Sequence, residues 1–372
     1  MTRNFRRLLG SVLIPLALAG CARHVAPPPA PPTASPRPNP PPVYSLLDGL
    51  QIQPKSGNHR IAAVMIDNYP INARPQSGLR EADIVYEVEA EGGITRYMAL
   101  FLENDARQIG PVRSARTYFV DLARPYDPLF AHAGENDDVW EPLKELRLAG
   151  FADMEQIVGT PEAFWRDDGR DMPHNLYTST ARLRTTAARY GYQDKPLTTE
   201  EFAFAPDPLD QISPSPSPAA SPADDPPPSG ASPLPSPTKK SVPEAVLTFW
   251  NDYTVRFHPT NTGYERIIGH VVQHDRDDPK PYMVADIVAV WIPARVLDAI
   301  GDLSMNVYGT FPAVLVRDGY ATLATWFAPG PTTMPELLDK SGENVPLAPG
   351  QIYVEVLPQG GTLRVGKNVW SY

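Results

Sequence analysis

The sequence predicts an α+β protein, with a mixed α/β N-terminal domain over residues 44–205 and a second, β-rich barrel- or sandwich-like domain over 243–372. Three observations carry this. In the first half, β-branched and aromatic runs alternate with helical patterns. The last 130 residues read almost wholly as strands. Between the two lies a proline tract, residues 206–242.

The chain opens as an export signal. Arg3, Arg6 and Arg7 precede an apolar stretch from Leu8 to Ala19, which is too short to span a bilayer as a permanent helix. Leu18-Ala19-Gly20-Cys21 resembles the lipobox of bacterial lipoproteins, which implies a signal peptide over 1–20, cleavage before Cys21 and acyl chains on that residue. Cys21 is the only cysteine of the 372 residues, so an intramolecular disulfide is excluded and the exported body must be held by ordinary cores. The expected location is the outer face of a cell membrane, with the lipid on Cys21 as the membrane contact. Residues 21–43 form the lipidated tether. Ten of the 45 prolines fall between Pro27 and Pro42, so this stretch is expected to be extended, reaching roughly 50 to 60 Å at about 3.1 Å per residue.

In the first domain, IAAVMID (61–67), ADIVYEVEAE (82–91), TRYMALFLE (95–103) and LFAHAG (129–134) read as strands. Residues 117–123, 138–148 and 180–190 carry helical periodicity. The 206–242 tract, rich in Pro, Ser and Ala, cannot bury enough apolar surface to order itself and is expected to be a disordered linker or insertion. The alternation in EFAFA (201–205) reads as a strand able to pair with the second domain, which would make the tract an insertion.

The second domain reads as YTVRFHP, YERIIGHVVQ, DIVAVWIPA, FPAVLVRDG, YATLATWFAP, QIYVEVLP and TLRVG, all strands, with a helix over 334–340. Asp318-Gly319 in VRDGYAT is a two-residue hairpin turn. No internal repeat relates the halves.

Formal net charge is −10. Removing residues 1–20, which carry three arginines and no acid, takes it to −13. That sign excludes a nucleic-acid partner, which needs a basic footprint. G-x-S-x-G, the full phosphate-binding G-x-x-x-x-G-K-[ST], H-E-x-x-H and cysteine pairs are all missing, and no cofactor or metal is implied. His270 and His274 on one strand would stand about 13 Å apart, beyond one metal's reach.

The densest polar region is residues 67–136. If Ser114 caps the helix that follows, Arg113 and Arg116 lie at a positive helix end, where two cations make sense around a shared anion. The alternative is internal pairing with Asp121, Asp67 or the Glu87, Glu89 and Glu91 series. Those three glutamates alternate along one strand and share a face, either solvated or balanced by cations. Arg74 in a proline turn and Arg96 after Gly92-Gly93 sit where turns place side chains at a sheet edge. His132 is the histidine singled out as an acid-base group. Trp291, Trp326 and Phe327 are either a sugar-stacking platform or core.

The blocks IDN, ARPQSGL, ADIVYE, EGGITR, IGPVRSAR, YD, HAG and FWRDDGRDMPHNLYTST, in that order, resemble the YerB-like family of bacterial lipoproteins. The likeness extends into YERIIGHVVQHD and GQIYVEVLP. It implies the two-domain architecture and an envelope location, and no reaction, because both family domains are of unknown function. HAGEN (132–136) departs from the family's His-x-Gly-Gly-Ser pattern, so no serine role carries over to Glu135 or Asn136.

The leading expectation is a lipid-anchored envelope protein that binds an anionic cell-wall component or an envelope partner protein. Its site would be Arg113, Arg116, Arg96, Arg74, Asp67, Glu91 and His132. The alternative is an envelope enzyme, a hydrolase or a phosphoryl or glycosyl transferase acting on a glycan or phosphorylated polymer around the same groups.

Overall fold

One ten-stranded sheet draws on both halves of the sequence. In a computed structural model of the chain, residues 43–52, 59–195, 197, 202–205 and 242–372 are described. The sheet contains β1 (Ala62–Asp67), β2 (Ile84–Glu89), β3 (Thr95–Phe101), β4 (Leu129–His132), β5 (Ala152–Glu155), β6 (Asp286–Trp291), β7 (Gly309–Arg317), β8 (Tyr320–Ala328), β9 (Glu336–Leu338) and β10 (Ile352–Leu357). Their order across the sheet is β9-β8-β7-β6-β10-β2-β3-β1-β4-β5. The halves meet where β10 pairs in parallel with β2, Ile352 opposite Ile84 and Glu355 opposite Glu87.

The central strands are nearly continuous apolar runs because both faces are covered. Ala63, Met65, Met98 and Leu100 pack against helices α1 (Thr117–Ala123) and α2 (Asp137–Leu148). Val64, Ile66, Tyr97 and Ala99 point the other way. There they meet helix α3 (Thr180–Arg189) and a second, seven-stranded sheet built from residues 245–371 through Leu247, Val255, Phe257 and Leu363. Ser179 caps α3 by accepting a hydrogen bond from the Arg182 N–H at 3.2 Å.

The Asp318-Gly319 turn is as expected. Both residues have positive φ, 50° and 78°, and Arg317 pairs with Tyr320 across it. Phe204 bridges Leu347, and the Ala205 N–H donates to the Leu347 carbonyl at 2.7 Å, so residues 203–205 pair with the second half in an isolated bridge. The 206–241 tract, residues 1–42, the signal and the tether lie outside the described residues.

Two local expectations are corrected. Residues 334–340 form no helix. Glu336–Leu338 is the edge strand β9, because Leu337 inserts beside Trp326 and buries fully while its neighbours stay half-exposed. YERIIGHVVQ is not one strand. It folds back at Gly269-His270, Gly269 taking φ 61°, so Ile268 pairs with Val271.

Asp286, at the start of β6, is fully buried. Its Oδ2 accepts from the Ala348 N–H at 2.6 Å, while Oδ1 lies 3.7 Å from Arg317 Nε without a hydrogen bond. Burial first, with the charge of Asp318 added, pushes its pKa up to about 7 against the pull of Arg317 and the Ala348 N–H. A carboxyl raised on folding stabilises below its unfolded pKa, about 4, and that stability is lost as pH rises through the folded value. Asp286→Asn keeps an acceptor for Ala348 and cannot ionise. Its stability relative to wild type should therefore rise between about pH 4 and 7. Urea midpoints of both proteins at pH 5 and pH 8 check this, and an unchanged gap would count against a buried ionising Asp286.

Candidate functional site

Strands β1, β2, β4, β5, β6 and β10 all run the same way, so their C-terminal ends share one edge. In open α/β sheets this edge is where ligands gather. Asp67, His132 and Glu155 end their strands here, and Arg96 lies opposite Asp67. The segment bearing Arg113 and Arg116 is wedged between β1 and β4. Arg113 N–H donates to the Met65 carbonyl, and Ala133 N–H donates to the Arg113 carbonyl, each at 3.0 Å. Five predicted residues, Asp67, Glu91, Arg96, Arg113 and Arg116, are thus brought to one region of the sheet edge.

They do not surround a shared vacancy. Arg96 and Arg116 both bind Glu91, Arg116 at 2.7 Å, and Arg116 Nε lies 3.5 Å from Asp302 Oδ1. Two guanidiniums therefore meet two carboxylates. Burial pulls the Arg96 pKa down to about 10 against Glu91, with Arg116 and Arg113 pushing the same way as burial. The expectation that Ser114 caps the following helix is corrected. The N-cap is Arg116 in extended conformation, no side chain caps α1, and the Ser114 carbonyl accepts from Arg96 at 3.0 Å. The arginine pair answers to Glu91, not to a helix end.

The glutamate series is balanced from within as well. Glu87 binds Arg266 and accepts from Thr95 Oγ1 and Tyr253 OH. Glu89 accepts from the Trp250 N–H at 2.5 Å. Burial raises the Glu89 pKa to about 7, opposed by that hydrogen bond and assisted by the charge of Glu87. Glu91 lies beyond the end of β2, so the three do not share one strand face.

Asp67 and Asn68 form a different corner. Asp67, almost fully buried, receives the Tyr69 N–H at 2.9 Å on Oδ1. Its Oδ2 takes His174 Nδ1 at 2.7 Å and faces Arg113 Nε at 3.2 Å. Arg74 leans on Asn68 instead, with Nε 2.7 Å from Oδ1 and a terminal nitrogen 3.0 Å from the backbone carbonyl, its guanidinium 5.4 Å from the centre of the Tyr253 ring. Among the described residues no carboxylate ion-pairs with Arg74, and the terminal nitrogens of Arg113 have no partner. The Asp67 carboxylate therefore faces one guanidinium, Arg113, and one imidazole, His174, while Arg74 rests on the neutral Asn68. Arg74 also lines an open pocket of about 310 Å³.

His174 is the residue sequence reasoning missed. It stacks on Tyr69, ring centres 5.2 Å apart, and its Nε2 has no partner among the described residues, while Asp67 holds the other nitrogen. The only signal was its place in FWRDDGRDMPHNLYTST. In that block Arg170 also clasps the Arg74 loop by donating to the Ala73 and Pro75 carbonyls.

His132 is sealed in the core. Its Nδ1 faces the Gly134 carbonyl at 2.9 Å and its Nε2 faces Asp153 at 2.7 Å. Both neighbours only accept, so both nitrogens carry protons. Burial opposes this charge, but Asp153, the Gly134 carbonyl and Glu135 outweigh it and raise the pKa. The glycine corner before Arg96 is filled by protein as well. Asn251 Nδ2 donates to the Gly92 carbonyl at 3.0 Å, and a Cβ on Gly93 would stand 1.9 Å from that nitrogen. Trp291 and Trp326 are buried, so they pack the core and offer no stacking platform. Among the described residues, no three His, Cys, Asp or Glu side chains are grouped to hold a metal ion, and no helix is long and apolar enough to cross a membrane.

The chain matches two family models, the N-terminal domain of a protein of unknown function (DUF3048) over residues 47–193 and its C-terminal domain over residues 245–354. It is 29% identical over 323 residues to "Putative lipoprotein YerB" of Bacillus subtilis (strain 168), covering 86% of this chain and 88% of that protein. The crystal structure of the YerB protein from Bacillus subtilis superposes with a TM-score of 0.69 at 27% identity, over 87% of this chain and 99% of that one.

Proposed function

We propose, from the premise that the chain belongs to the YerB-like family, that it is a lipid-anchored envelope protein binding an anionic cell-wall component or the acidic group of an envelope partner. The membrane is reached through lipid on Cys21, and the folded body does the binding. The observation that carries this reading is the charge imbalance at Asp67-Asn68. Arg96 and Arg116 are matched by Glu91 and Asp302, whereas among the described residues Arg74 has no carboxylate and the terminal nitrogens of Arg113 are left for an incoming anion. Arg74 and Arg113 are therefore the ligand-binding residues. Asp67 positions Arg113, and Glu91, Arg96 and Arg116 form the wall behind them.

Full-length protein in detergent, titrated with sonicated cell-wall fragments, should lose about tenfold or more in affinity in an Arg74→Ala plus Arg113→Ala variant. Binding that survives both substitutions removes the reading. One observation favours the enzyme alternative. Asp67 orients His174, whose Nε2 has no partner among the described residues, the arrangement of a general base. Turnover of a fragment that His174→Gln abolishes, with binding retained, would favour that alternative.

A further inference from the structure

The pocket beside Arg74 has a chemistry of its own. It lies between the 70–75 loop and the hairpin that turns at Gly269-His270, and it is lined by Arg74, Ile268, Val271, Val272, Gln273 and His274. One end is cationic. Arg74 spends Nε and one terminal nitrogen on Asn68, leaving the other terminal nitrogen without a partner among the described residues. His274 donates Nδ1–H to its neighbour's carbonyl, Asp275 O, at 2.7 Å, and its Nε2 has no partner among the described residues. The other wall is aliphatic. Val271 and Val272 are 61% and 38% exposed at the rim of a strand, although valine at this density normally faces a core. A volume of about 310 Å³ is at the lower end for ligand pockets, so it takes a terminal group and excludes a long acyl chain.

We propose that this pocket captures a carboxylate on a short aliphatic stem, the chemistry of a peptide C-terminus ending in a small apolar residue. The carboxylate pairs with Arg74, and the stem lies on Ile268, Val271 and Val272. Another cavity among the described residues, about 350 Å³, is lined by Glu81, Asp105, Asp275, Asp277 and Asp278, with Arg107 as its cation. That acidic lining repels the same head group, whereas Arg74 attracts it. The inference rests on the anion-binding reading above and sharpens its ligand class.

The test uses full-length protein in detergent and five probes: N-acetyl-alanyl-valine, its C-terminal amide, N-acetyl-alanyl-serine, inorganic phosphate and sonicated cell-wall fragments. The valine acid is expected to bind about tenfold or more tightly than the amide, and about tenfold more tightly than the serine acid. Arg74→Ala removes the first difference and Arg74→Lys restores part of it. Val271→Ser plus Val272→Ser, at exposed positions, removes the second. Arg74-dependent binding of phosphate and wall fragments without preference for acid over amide or valine over serine overturns this inference and leaves the broader reading standing. No Arg74-dependent binding of any probe overturns both. Since the acid-amide comparison is made on unaltered protein, failure of a variant to fold does not spare the proposal.

Discussion

Arg266→Met is expected to destabilise the folded protein by about 3–5 kcal/mol, measured as the loss in urea-unfolding free energy. Arg266 comes from the seven-stranded sheet and is 1% exposed. It enters the junction at which β2 and β10 unite the two halves of the chain. It donates to Glu87, its Nε stands 3.9 Å from Glu355, and it lies over the rings of Tyr97, Phe257 and Tyr353 at 5.2, 5.9 and 5.4 Å. Methionine fills much of the same volume, so the loss measures charge more than cavity. Glu87 would remain buried with hydrogen bonds from Asn68, Thr95 and Tyr253 but no cation.

Two controls isolate the cause. Among the described residues no donor hydrogen-bonds to either Glu355 oxygen, and burial first, then the charge of Glu87, raises its pKa well above the usual carboxylate range, against Arg266. Because burial and the charge of Glu87 both push that carboxyl toward its neutral form, Glu355→Gln should change stability little. Adding Glu87→Gln to Arg266→Met should recover part of the loss, since the stranded charge is gone. A loss below about 1 kcal/mol for Arg266→Met alone would mean the buried pair contributes no more than an exposed one.

This junction also shows what was legible in the sequence. The apolar runs, the helix at 117–123 and the Asp318-Gly319 turn are local patterns and read correctly. The register of β2 on β10 joins residues more than 260 apart, and nothing local encodes it. A trace existed all the same. Glu87 in IVYEVE, Glu355 in IYVEVL and Arg266 in YERII are charges inside strands too apolar to be exposed, and buried charges need each other. The same reasoning applies to Asp67, whose partner His174 lies 107 residues away. For Arg113 and Arg116, residue types placed them near carboxylates, but only side-chain direction shows that Glu91 takes Arg116 while Arg113 keeps free nitrogens.

Cys21→Ser should move the protein almost wholly from the membrane pellet to the soluble fraction, or leave it as an uncleaved precursor. The residue lies outside the described part of the structure. Serine has no thiol to carry a lipid, and no second cysteine replaces it. Each buried methylene contributes about 0.8 kcal/mol, and one chain holds only marginally, so lasting attachment requires the two or three chains a lipobox implies. Intact mass of the mature N-terminus decides it, since an unmodified terminus beyond residue 21 in the unaltered protein contradicts lipidation directly. Binding should be separable from anchoring. Arg74 sits on the folded body, so soluble Cys21→Ser protein should bind N-acetyl-alanyl-valine as tightly as the anchored form, whereas Arg74→Ala protein should stay on the membrane and not bind it. A Cys21→Ser protein that folds but loses peptide binding would mean that the lipid or its membrane completes the site.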